Sequence, residues 1–180
     1  QANDPAWTAA AEGGDLRPVG SNQPASQSTD FRVVYDDEAL YLAFRCHEPR
    51  TEAIVTAGDA RDDASIYTGD TFELFFGCVE NRNKHWHVSI SPANCQWDAW
   101  DGDPARDAPW QSATSRDTNG WGGELRIPFT IFNLDAPPIG GRWHVNVGRE
   151  DKPTRENSTW SNVENHFLEP QNFGTWTFGE

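Results

Sequence analysis

Two kinds of side chain in this sequence are spaced so that they could act on a ligand. Within 65–76 (SIYTGDTFELFF), Tyr67 stands just before a strand in which Glu73 alternates with Phe72 and Leu74. A ring offers its face to C–H bonds and a carboxylate accepts hydrogen bonds from hydroxyls, so a ring overhanging an acid suits a polyhydroxylated ligand, a sugar above all. A few residues earlier Asp59, Asp62 and Asp63 crowd one loop, the oxygen-rich chemistry that a calcium ion takes. A solvated loop in an acidic chain is the alternative reading of those three.

Strands must position these groups. By the two-residue period Phe72, Leu74 and Phe76 share one side, and Thr71, Glu73 and Phe75 the other. After a turn at 80–84, HWHVSIS (85–91) returns antiparallel, with Trp86, Val88 and Ile90 continuing the core face. His87 then falls on the same side as Glu73, and that side is expected to face solvent. The segment 92–110 places Trp97, Trp100 and Trp110 among Asp, Pro and Gly. Trp97 and Trp100 are three apart and would face opposite sides of a strand, leaving at least one for a ligand unless both cover the end of the core.

The rest of the chain follows the same pattern. FRVVYDDEALYLAFRC (31–46) reads as a hairpin turning on three acids. NGWGGELRIPFTIFNL (119–134) reads as a strand through 124–127 that ends at Pro128 in a helical turn. RWHVNVGRED (142–151) alternates, with Trp143, Val145 and Val147 inward and His144 and Asn146 outward. A closing strand surrounds Trp176 and Phe178. Short strands at intervals of roughly ten residues, separated by turn residues, predict an all-β fold, an antiparallel β-sandwich of jelly-roll-like or immunoglobulin-like two-sheet form. It is expected as a single domain over 1–180, with 1–30 an irregular lead-in pinned by Trp7.

Composition narrows the partners. With 28 acidic against 14 basic residues the formal net charge is -14, which repels phosphate backbones, so neither nucleic acid nor an anionic membrane is an expected partner. There is no long apolar run to span a bilayer. The three cysteines, Cys46, Cys78 and Cys95, lack metal-site spacing and read as buried free thiols, with one disulfide as the alternative. A chain that begins at Gln1 and contains no Met reads as a processed protein or a module of a longer one.

No P-loop, GxSxG, HExxH or dinucleotide fingerprint is present, and no residue is marked as a nucleophile, so catalysis is not expected. Five histidines would allow a bis-histidine haem site in a sandwich of this kind. A structural or protein-interaction sandwich without a ligand site is the remaining alternative.

The segments VVYDDEALYLAFRC (33–46), SIYTGDTFELFF (65–76), GWGGELRIPF (120–129) and STWSNVENHFLEPQNFGTWTF (158–178) occur in an order and spacing that resemble carbohydrate-binding module family 9 and the related DOMON-like β-sandwiches. The resemblance implies a non-catalytic module that binds an oligosaccharide or polysaccharide, often with structural calcium. It implies a monomer, secreted or extracellular, covalently linked to a glycoside hydrolase domain. It also implies a ligand held between two aromatics, here Tyr67 and Phe167, with Glu73, His87 and Asn165 as polar contacts. Tyr67 and Phe167 stand where the family favours tryptophan, and His87 where it can hold arginine, so Trp97 and Trp100 are expected to share the contact.

Overall fold

The computed structural model describes residues 5–77 and 84–179. The expected turn at 80–84, apart from Lys84, and the state of Cys78 lie outside these residues.

Twelve strands are described: β1 (Ala11–Gly13), β2 (Arg17–Pro18), β3 (Thr29–Tyr35), β4 (Ala39–His47), β5 (Thr71–Gly77), β6 (His85–Ile90), β7 (Gln96–Trp100), β8 (Gln111–Asp117), β9 (Gly120–Pro128), β10 (Arg142–Asp151), β11 (Glu156–Thr159) and β12 (Gly174–Thr177). Among the described residues the helical segments between them are all 3₁₀ turns. One sheet runs β1-β3-β4-β9-β8 and the other β2-β11-β10-β5-β6-β7, with β12 also paired to β10, all antiparallel. The protein is thus an antiparallel β-sandwich.

Apolar alternation explains the packing. Leu40, Leu42 and Phe44 of β4 meet Phe72, Leu74 and Phe76 of β5 across the sandwich, and all are buried. Phe44 and Phe72 stack with centroids 4.0 Å apart at 7°. Trp86, Trp110, Trp121 and Trp143 are buried, and Trp100, Trp160 and Trp176 pack against the same core. Trp100 therefore belongs to the core face of β7, 5.3 Å from Trp86. Cys46 and Cys95 are free and buried, and burial pushes the Cys46 thiol up to about 11.

The sheets are also riveted by a cation. Arg149, on the inward side of β10, is 1% exposed. It donates to the Ser28 and His47 carbonyls of the facing sheet at 3.1 and 2.9 Å and pairs with Asp151 at 3.0 Å.

Four sequence expectations change. The lead-in contributes two short strands, β1 and β2. β8 (QSATSRD) has no apolar pattern and was not expected as a strand; it zips onto β9 through backbone bonds. β9 extends back through Gly122 and Gly123. Finally, the outer side of β5 and β10 is not solvated: Phe75 is 2%, Glu73 2% and Asn146 0% exposed. The segment 160–173 folds over that side, and Phe75, Val163, Phe167 and Phe173 form a second small core there.

Candidate functional site

The alternation that drives one face of β5, β6 and β10 into the core sends the other toward a surface cleft of about 710 Å³. β5 contributes Glu73 and Phe75, β6 His87, and β10 Glu150. The 3₁₀ turn Ala64–Thr68 brings Tyr67 over one side, capped at its start by Asp63, which accepts from Ser65 N at 2.9 Å. The segment after β11 supplies Asn165 and Phe167 from the opposite side. Five residues singled out from sequence, Tyr67, Glu73, His87, Asn165 and Phe167, thus line one cavity.

A line of rings makes the floor. Tyr67 and His87 are 6.0 Å apart, His87 stacks on Phe75 at 4.2 Å and 22°, and Phe75 meets Phe167 at 6.1 Å. Phe167 is only 8% exposed, so it offers the cleft an edge rather than a free face. Its ring sits on Gly148, where a Cβ would come within 2.9 Å of Phe167 Cδ2. Gly148→Ala is therefore expected to push that ring out of place, weakening ligand binding severalfold while lowering the melting temperature only slightly. Calorimetric titration beside a thermal melt checks both.

The polar groups form a chain. Tyr67 Oη lies 3.0 Å from Ser89 Oγ, which lies 3.0 Å from His87 Nε2, which lies 2.6 Å from Glu73 Oε2. Thr71 Oγ1 donates to Glu73 Oε1 at 2.9 Å. An ionised Glu73 requires the His87 proton on Nε2, which leaves Nδ1 as the acceptor of the neutral ring. Burial, and then the charge of Glu73, push the Tyr67 hydroxyl above its ordinary range, so it remains a donor. Glu73, expected to face solvent, instead has both oxygens engaged and positions His87.

Sequence reasoning missed Glu150. Its Oε2 is held by Lys152 Nζ, and its Oε1 has no partner among the described residues. Burial and the Glu73 carboxylate raise its pKa, against the pull of Lys152. The signal was available, because the period of β10 that carries Asn146 outward carries Glu150 outward as well.

Asn165 is held from behind. Its Nδ2 and backbone N–H donate to Glu169 Oε1 at 2.8 and 2.9 Å, and its Oδ1 has no described partner. Glu169 also accepts from Glu164 N at 2.8 Å and Asn172 Nδ2 at 3.0 Å. These bonds, the Glu164 amide foremost, hold its carboxyl down to about 2.

Of the two further candidate rings, Trp97 shares the outer side and backs the cleft edge-on, 5.3 Å from Tyr67 and 5.0 Å from His87. Trp100 lies on the opposite side of β7, against the core.

Asp59, Asp62 and Asp63, the expected calcium ligands, lie in the loop that leads into the 3₁₀ turn Ala64–Thr68. Asp63 accepts from Ser65 N and Asp59 N, and Asp62 accepts from Asp98 N while pairing with Arg61. Among the described residues no three His, Cys, Asp or Glu side chains converge as metal ligands. Asp63 braces the loop and Asp62 ties it to β7.

The family model for "Carbohydrate family 9 binding domain-like" matches residues 1–180. No curated protein matches the chain in sequence. A family 9 carbohydrate binding module from Caldicellulosiruptor kristjanssonii, solved with cellotriose, shares the fold with a TM-score of 0.69 at 19% identity, over 98% of this chain and 87% of that one. The same organism's family 9 module with glucose aligns at 0.68 and 19%, over 98% and 88%. A Bacteroides uniformis protein aligns at 0.73 and 16%, over 95% and 87%.

Proposed function

The chain belongs to the carbohydrate family 9 binding domain-like family, and from that premise we propose that the ring-floored cleft binds the end of a glycan chain without chemistry. The observation that carries this reading is the convergence of Tyr67, Glu73, His87, Asn165 and Phe167 on one cavity. Sugar C–H bonds pack over Tyr67 and the accessible part of the His87 ring, which Phe75 backs from beneath. Hydroxyls find acceptors at Glu150 Oε1 and Asn165 Oδ1, and donors at the exposed Arg155 and Asn157 on the rim. The bound modules of Caldicellulosiruptor kristjanssonii support a glucose-type ligand.

The setting belongs to the same proposal: a monomeric module, outside the cell, joined to a glycan-degrading enzyme that it holds on the substrate. The family resemblance supports that setting. A structural calcium at the loop of Asp59, Asp62 and Asp63 rests on the family resemblance, and a melting temperature unchanged by chelator would refute it.

Calorimetric titration with cello- and xylo-oligosaccharides tests the reading. Tyr67→Ala is expected to lower affinity about fivefold, from loss of a ring contact of roughly 1 kcal/mol. Absence of binding to every oligosaccharide, or an unchanged affinity in Tyr67→Ala, would refute it.

A further inference from the structure

The glycan reading leaves open which sugar the cleft takes, and the charges around its rings bear on that choice. Glu73 and Glu150 lie on the floor, on adjacent strands where Gly148 faces Glu73 and Glu150 faces Thr71. Glu156 and Glu164 stand on the rim. Against them stand Lys152, already bound to Glu150, Arg155 on the rim, and His87 and His166. A carboxylated sugar entering this cleft would meet two floor carboxylates in a partly desolvated place, where like charges repel most.

Several polar atoms around the floor are unspent acceptors. Glu150 Oε1 and Asn165 Oδ1 have no described partner, and Glu156 uses only Oε1, to accept from Ser26 N. Glu150 lines the same cavity as Tyr67, Glu73, Phe75 and His87. The side chain is 18% exposed. A free carboxylate oxygen next to aromatic faces is the arrangement that holds an ammonium group, through a charge-assisted hydrogen bond and cation–π attraction together. Glu150 already holds one ammonium group by a charge-assisted hydrogen bond on its other oxygen, that of Lys152 Nζ. Neutral hydroxyls would use the same oxygen without the gain from charge.

We propose that the cleft selects amino sugars: a glucosamine-type ring packs on the aromatic floor with its ammonium group against Glu150 Oε1. This rests on the glycan reading of the cleft and narrows it. Glu150 is then the specificity-determining residue, and Glu73 acts through His87.

The test is calorimetric titration of the protein with a β-1,4-glucosamine trimer, its N-acetylated counterpart, cellotriose and a galacturonic acid trimer, near pH 6, where the amine is charged. The glucosamine trimer is expected to bind about tenfold more tightly than cellotriose and the N-acetylated trimer. Galacturonate should bind most weakly, and high salt should shrink the glucosamine advantage. Glu150→Gln is expected to bring glucosamine and cellotriose to parity. The N-acetylated ligand keeps the test decisive even if that variant folds poorly, because it removes the charge from the sugar instead. Equal or tighter binding of cellotriose overturns the amino-sugar inference while leaving the glycan reading intact. So does a preference that survives Glu150→Gln. If none of the four sugars binds, the cleft is not a glycan site and both readings fall.

Discussion

Arg149→Ala is expected to destabilise the protein by about 3–5 kcal/mol, because it removes one partner of a buried ion pair and leaves the other charged. The guanidinium, 1% exposed, satisfies two carbonyls of the facing sheet, approaches Thr29 Oγ1 at 3.3 Å and neutralises Asp151, which is 3% exposed. Nearby Asp70 is 1% exposed, and burial, with Asp151 adding to it, pushes its carboxyl up to about 6. Without the arginine two buried acids would confront each other. For a chain of this size the loss corresponds to a fall of roughly 10–15 °C in melting temperature.

The pH dependence gives the prediction a second edge. A carboxylate whose folded pKa lies above its unfolded value contributes stability below the unfolded pKa, and that contribution is lost as pH rises through the folded one. The Arg149 charge pulls the Asp70 value down, so removing it raises that value further, and the variant's deficit should be larger at pH 8 than at pH 5. Arg149→Lys should recover only part of the loss, since a single ammonium cannot reproduce the fork that reaches both carbonyls and the acid. A deficit independent of pH would show that the lost carbonyl bonds, not the unpaired buried acids, carry the effect.

Glu169→Ala is expected to reduce glycan binding tenfold or more, although no ligand need touch that side chain. Its carboxylate gathers four N–H donors from 164, 165 and 172 and so fixes the loop that presents Asn165 and Phe167. Alanine leaves the donors to water and frees the loop from the cleft. Glu169→Gln should be intermediate, because the amide keeps one acceptor oxygen and turns its NH₂ toward donors. Limited proteolysis should cut the variant within 162–168, a region expected to resist in the parent protein.

The carboxyl of Glu169 is depressed to about 2. A depressed value stabilises the loop above the unfolded pKa, and that support is lost as pH falls through the folded one. In the parent protein the loop should therefore stay closed from neutral pH down to about 3.

Much of the architecture could be read from alternation. The hairpin of β3 and β4 and the strands β5, β6 and β10 each set apolar residues on one side, and the sandwich follows from burying those sides together. β8 was illegible because QSATSRD holds no apolar face; its pairing with β9 is a matter of backbone bonds that side chains do not advertise. The cover over Glu73 and Asn146 was illegible for another reason. Alternation tells which side of a strand points away from the core, but not what distant segment returns to lie on it.

The site shows the same division. Tyr67 and His87 came from local pattern, whereas pairing them with Phe167 needed a family likeness, since 160–173 is joined to β5 only by the fold. Asp59, Asp62 and Asp63 illustrate the converse: they are near in sequence, yet Asp63 accepts from amides of its own loop while Asp62 accepts from Asp98 N of β7.

β10 carries three duties on three successive residues: Gly148 seats the Phe167 ring, Arg149 rivets the sheets, and Glu150 lines the cleft. Inserting one residue there would turn each to the wrong side. This stretch can therefore diverge by substitution but not by length. Lengthening remains open to the turn 152–155 and the segment 164–168, which border the same cleft. Homologues that acquire new glycan preferences should change length in those two places and keep the spacing of 145–151 fixed.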